Sequence, residues 1–306
     1  MSLPVILRPA AAADHLLWVP SLTAAAQDRS LYVARQYSEI GMTLAAKTCG
    51  CWAASLGDCG GGLSGEHIVS DAVLQTMIVV QGFSWCKDRP RTIGAASFTA
   101  KHLCERHNSW SSRFDTAAKD FLTTFKTAFE VREQQIDGSW AGPIPRYHHI
   151  DGFGLERWLC KTLVNVALVN QRDCEIPVER LARHIWRGEP FIHPYGLSFA
   201  VAKTLSGDWA DDSITILPLL GHNDARPVLV GGLAIIRSFR FVFLIPGEIE
   251  PVVDGKLPLQ PSNADWQGLQ LNWHNKEIVL KSGPVRGQIV SIGWDDTRVS
   301  SLRDSP

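Results

Sequence analysis

Two groups of metal-ligating side chains flank an acidic–histidine pair in this sequence. Cys49, Cys51 and Cys59 come first, Glu66-His67 follow, and Cys104-Glu105-Arg106-His107-Asn108 come last. Cys104 and His107 have two residues between them, which on a helix places a thiolate and an imidazole one turn apart. That is half of a tetrahedral zinc site. The other half is expected upstream. Cys49-x-Cys51 is tighter than the usual two-residue knuckle, so Cys51 and Cys59 are the preferred partners, with Cys49 in reserve. The competing reading is that these thiols are small buried hydrophobes, the common fate of a free cysteine.

Between the two groups, His67 has the chemistry of a general base. An imidazole titrates near neutral pH and can take a proton from water. The adjacent Glu66 and the amide oxygen of Asn108 offer hard oxygen ligands to a divalent cation, Mg²⁺ or Mn²⁺. Such an ion beside a base is the arrangement that cleaves phosphodiesters. Each residue also has a plainer reading: His67 as a satisfied core histidine, Glu66 as a solvated carboxylate, Asn108 and Asp115 as caps or turn formers.

In the segments Leu63-Ser64-Gly65-Glu66-His67-Ile68 and Leu103-Cys104-Glu105-Arg106-His107-Asn108, together with the upstream cysteines, the chain resembles the HNH endonuclease module. The resemblance covers residues 49–115. It implies a ββα-metal fold in which a zinc knuckle clamps a hairpin to a helix. His67 falls on the general base, Glu66 and Asn108 on metal ligands, and Cys104 and His107 on the second zinc pair. Ser97 and Thr99 stand nearest the position of the module's middle Asn. The implied activity is metal-dependent cleavage of nucleic acid, DNA before RNA. The alternative is a zinc-stabilised nucleic-acid-binding or interaction protein that cuts nothing.

The elements that must position these residues can be read in outline. Cys59-Gly60-Gly61-Gly62 is a turn, and Leu63 to Ser70 alternates as a short strand. Asp71 to Val80 reads as a helix or apolar connector. Lys87-Asp88-Arg89-Pro90-Arg91 is a basic loop; Lys87, Arg89 and Arg91, with Arg106 on the helix beyond, are the expected phosphate contacts. Phe114, Ala117, Ala118, Phe121, Leu122 and Phe125 recur at spacings of three and four and predict a helix from Asn108 to Phe129. A Gly/Pro loop then leads past His148-His149-Ile150-Asp151, read as a surface turn. A second helix follows at Gly154–Val169, on which Arg157 and Lys161 should face solvent or an anion. Val178 to Arg187 predicts a third.

Beyond Pro190 the texture becomes β-rich. Strands are expected at Ser213–Leu217, Pro227–Ile236, Phe239–Ile245, Leu269–His274, Glu277–Lys281 and Gly287–Gly293. The predicted class is α+β: an N-terminal zinc-stabilised ββα module, a helical middle and a C-terminal antiparallel β-rich domain. The expected divisions are an extension over residues 1–45, the zinc module with its helical layer over 46–190, the β-rich domain over 191–296 and a tail over 297–306. Met42 offers an alternative start.

Composition narrows the function classes. Charged residues make up 20% of the 306 and the net charge is -1, so nucleic acid must be met by a local basic patch. An odd cysteine count, seven, without a recognisable export signal argues for reduced thiols in a cytoplasmic protein. No apolar run of membrane length occurs. His184, His193, His222 and His274 lack ligand spacing. Ser198 and Ser206 sit in no nucleophile elbow, and no phosphate-cradling glycine loop is present. A protein partner is expected, if anywhere, on the C-terminal sheet.

Overall fold

The computed structural model describes residues 5–9, 50–74, 77–139, 147–170, 174–191, 195–201, 214–222, 226–236, 239–247, 276–280 and 288–293. Cys49, the expected strand at Leu269–His274 and the tail lie outside them. The class is α+β with antiparallel sheets. The strands in chain order are β1 (Val5–Pro9), β2 (Leu63–His67), β3 (Met77–Gln81), β4 (Arg91–Gly94), β5 (Thr99–Cys104), β6 (Tyr147–Asp151), β7 (Gly196–Val201), β8 (Ile214–His222), β9 (Pro227–Ile236), β10 (Phe239–Leu244), β11 (Lys276–Leu280) and β12 (Gln288–Gly293). The helices are α1 (Glu105–Ile136), α2 (Gly152–Val169) and α3 (Val178–Ala182), the last continuing into a π-helical turn at Arg183–Arg187.

Seven strands form one antiparallel sheet in the order β4-β3-β1-β8-β9-β10-β7. This sheet departs from the expected divisions. β1 lies inside the predicted extension, yet it pairs with β3 on one side and β8 on the other. Strands from both sides of residue 190 therefore share a ladder, and the early segment is a structural member. The stretch predicted as a helix or connector after Asp71 is a short helical turn followed by β3. Its Ile78, Val79 and Val80 are buried in succession, as suits a strand covered on both faces. β11 and β12 leave the large sheet altogether and join β6, with β12 parallel to it.

β2 and β5 pair antiparallel, with an irregularity between Ser64 and Glu66, and β5 runs directly into α1. The order strand–strand–helix is thus present, with β3 and β4 inserted between the two strands. No side chain caps the start of α1. The amides of Glu105 and Arg106 donate instead to the carbonyls of Gly62 and Gly60. Gly61 turns the chain there with φ 72°, a conformation open to glycine.

α2 is the central helix. It is buried nearly all round, and Asp151 caps it by accepting the Gly154 amide. Gly154 permits the close contact with α1, because a Cβ there would stand 2.6 Å from that of Ala117. α1 packs its predicted stripe inward, with Phe114, Ala117, Ala118, Phe121 and Phe125 all buried. Phe121 meets Phe239 and Phe241 of β10 at 5.2 Å between ring centroids, and so ties the long helix to the large sheet. Phe121→Ala should destabilise the protein by about 3–5 kcal/mol, the cost of an aromatic-sized cavity, measured by chemical denaturation with secondary structure retained.

Candidate metal centre

Four ligand atoms converge at the foot of α1. Cys51, Cys59, Cys104 and His107 place their Sγ and ring nitrogen atoms within 4.8 Å of one another. His107 Nδ1 lies 3.1 Å from Cys104 Sγ, 3.5 Å from Cys51 Sγ and 3.9 Å from Cys59 Sγ. A tetrahedron with Zn–S and Zn–N bonds of about 2.0–2.3 Å has edges of about 3.5–3.8 Å, so the spacing suits a first-row metal at its centre. Three thiols and one imidazole are a soft donor set, and four protein ligands leave no open position. This group is therefore able to hold a metal such as zinc, in the closed form typical of structural sites.

The local chain explains the geometry. The glycine turn brings Cys59 beside the start of α1, while the Trp52 amide donates to the His102 carbonyl and fixes Cys51 against β5. Burial raises the Cys104 thiol. The backbone amides of His107 and Gly60, with Cys59 and Cys51 beside it, bring it below its ordinary value. Burial pushes Cys51 up, against the amides of Cys104 and Ala53. Burial also holds His107 below its ordinary value although Asp58 pulls the other way, which favours the neutral ring that a metal requires.

Asp58 completes the centre. Its Oδ1 lies 3.0 Å from His107 Nε2, and its Oδ2 accepts from Arg187 at 3.0 Å. The imidazole is thereby clamped with Nδ1 toward the sulfurs, the carboxylate–histidine arrangement that orients metal ligands. Trp186 donates its indole N–H to the His107 carbonyl and packs edge-on against the imidazole at 5.0 Å. Sequence reasoning missed Asp58, although a carboxylate directly before Cys59 was a readable signal.

The residues expected to act on a phosphodiester occupy different surroundings. His67 ends β2 half-buried, with Nε2 3.6 Å from Asp71 Oδ2 and a buried Nδ1 that lacks a hydrogen-bond partner. Asn108 donates its side-chain amide to Ser64 Oγ and the Gly65 carbonyl, at 3.0 and 3.2 Å, tying α1 to β2. Glu66 takes a place other than the one expected. It is only 3% exposed, and its Oε1 stands 2.6 Å from Lys161 Nζ of α2. Burial raises this carboxyl and Lys161 opposes that rise. Lys161 also reaches Asp115 Oδ1 at 3.0 Å and Ser111 Oγ at 3.4 Å.

An ammonium therefore holds the cation position on Glu66, and a divalent ion added to the same dry carboxylate would face its charge. The expected Mg²⁺ or Mn²⁺ set of Glu66 and Asn108 does not fit these residues. Lys87, Arg89, Arg91 and Arg106 are all exposed, with Arg106 Nη2 3.9 Å from Asp58. Comparison with protein families, curated proteins and solved structures finds no match. Among the described residues no helix is long and apolar enough to cross a membrane.

Cys104→Ser should abolish metal retention through gel filtration. Asp58→Asn should keep all four ligands yet weaken metal binding by about 10–100-fold, read by competition with a chromogenic chelator. Lys161→Met, which strands Glu66 in the core, should cost about 3–5 kcal/mol, read by denaturant unfolding at unchanged metal content.

Proposed function

We propose that this chain is a zinc-stapled ββα protein that hydrolyses nucleic-acid phosphodiesters, an HNH-like endonuclease in layout, with His67 as general base. The observation that carries the reading is the unit itself. A strand ending in His67 pairs with a strand running into α1, and a Cys₃His group fastens the two at one end. Asn108 fastens them again beside the same strand end. A zinc ion held by Cys51, Cys59, Cys104 and His107 supplies rigidity to this unit and takes no part in bond cleavage.

The half-exposed His67 carries the proposed reaction. Its Nε2 takes a proton from water, the resulting hydroxide attacks phosphorus, and the P–O bond to the leaving oxygen breaks with that oxygen protonated from solvent. Asp71 Oδ2 stands 3.6 Å from that His67 nitrogen. Lys87, Arg89, Arg91 and Arg106 meet phosphate oxygens, so affinity falls as salt rises. No step is assigned to a divalent ion on Glu66.

A second reading is favoured by the Glu66–Lys161 pair: the same zinc-stapled unit binds nucleic acid and leaves it intact, because a built-in ammonium stands where a reactive ion was expected. Plasmid nicking separates the two. Wild-type protein, incubated with Mg²⁺, with Mn²⁺ and with chelator after zinc loading, should nick supercoiled DNA. His67→Ala should lower the rate by about 10²–10⁴-fold, the usual worth of a general base, with zinc content and binding kept. Salt-dependent binding with no nicking under any condition would leave the second reading standing and remove the first.

A further inference from the structure

α2 carries a second buried cation one turn from Lys161, and its situation is the opposite. Arg157 is 2% exposed. Its Nε and Nη2 are buried and have no hydrogen-bond partner. Across the helix interface Arg113 of α1 is in the same condition, with Nε and Nη2 buried and unpartnered. Both guanidinium groups lie over Phe114, at 5.1 Å for Arg113 and 5.9 Å for Arg157. Arg113 also stacks on Trp110, 3.2 Å from the ring centroid. Burial, followed by the charge of Arg157, pushes Arg113 down to about 10. Glu156 and then Asp151 oppose the lowering of Arg157, and Asp151 also acts on Arg113, but Glu156 accepts from the Leu197 amide and Asp151 from the Gly154 amide. Among the described residues neither carboxylate forms an ion pair with either arginine.

Two like charges whose buried N–H donors lack partners are costly, because each donor loses water without gaining an acceptor. Lys161 shows how the same helix face satisfies a cation when carboxylates are supplied. We propose that Arg113 and Arg157 form an oxyanion site between α1 and α2, and that its ligand is a phosphate group. Four donor atoms, Nε and Nη2 of each residue, are available to it. The planar fork of a guanidinium matches phosphate oxygens in pairs, and two such forks offset the charge of a doubly ionised phosphate better than that of a singly charged carboxylate. Arg113 is half-buried and Arg157 is buried. The aromatic faces of Trp110 and Phe114 hold the forks in place without competing for their N–H groups. This site stands apart from the Cys₃His group and does not depend on the hydrolytic reading. Its phosphate could be the free ion or the terminal phosphate of a nucleic-acid strand.

The test uses the full chain loaded with zinc. Inorganic phosphate, titrated at constant ionic strength against chloride, should raise the melting temperature saturably. Arg113→Gln should weaken the phosphate response about tenfold or more while zinc content stays unchanged. Arg157→Met supplies a second measurement: the variant should be no less stable than wild type without phosphate, and should lose the phosphate-dependent rise. An equal response in wild type and both variants, or a wild-type response no larger than that to chloride, overturns the site. Short oligonucleotides with and without a 5′-phosphate identify the source. Arg113-dependent preference for the phosphorylated strand assigns the site to nucleic-acid ends, whereas equal binding of the two strands, with the inorganic phosphate response intact, assigns it to the free ion.

Discussion

The His107 ring faces two ways, and the rest of the module follows from that. One nitrogen looks at three sulfurs, and the other is held by Asp58. Neither direction is optional. Without the carboxylate the ring could turn, and without the sulfurs its first nitrogen would be a buried base with nothing to bind. Cys104 ends β5 and His107 lies in the first turn of α1, while Cys51 and Cys59 come from the loop before β2, so an ion at this point would cross-link segments already joined by the backbone amides of Trp52, Glu105 and Arg106.

A second constraint lies deeper. Arg157, Lys161 and Asn165 recur every fourth residue along α2 and are all buried, so they form a polar line through an otherwise apolar helix. Each has a separate partner environment. Arg157 shares the Phe114 ring with Arg113, Lys161 holds Glu66 and Asp115, and Asn165 donates to the His67 carbonyl. The line thus passes from the α1 interface to the strand that ends in His67. Buried charge of this kind contributes little to stability compared with an apolar replacement, but it is severe on any arrangement that mispairs it. The position of β2 against α2 is specified by polar matching, whereas the fit of α1 to the large sheet is specified by the shapes of Phe121, Phe125, Phe239 and Phe241.

The Cys₃His group could be read from residue types because ligand chemistry is local: Cys104-x-x-His107 announces a helical turn, and only a few upstream thiols could complete it. The α1 stripe and the span of β9 were equally legible, since their periodicities are strong. What escaped was long-range. Nothing near Val5 indicates that it pairs with Ile216, and nothing near Ile289 indicates that it lies parallel to Tyr147. The true partner of Glu66 was hidden for a related reason. Arg157 and Lys161 are expected to face solvent or an anion; Lys161 meets the anions Glu66 and Asp115, but inside the protein, and the lack of any polar opposite face on α2 was the sign that this helix has no outside. β3 was misread because a strand covered on both faces loses the alternation that identifies strands.

The place of β1 in the large sheet has a kinetic corollary. Val5–Pro9 lies between β3 and β8, so this segment finds its second neighbour only after the chain has passed Ile216. Until then β1 can extend β3 but must present an unpaired edge, and edges of that kind recruit other chains. The Cys₃His group needs nothing beyond His107 and can close long before. Biosynthesis of this protein is therefore expected to proceed with the Cys₃His cluster assembled and the sheet unfinished, and that interval is when it most needs a chaperone.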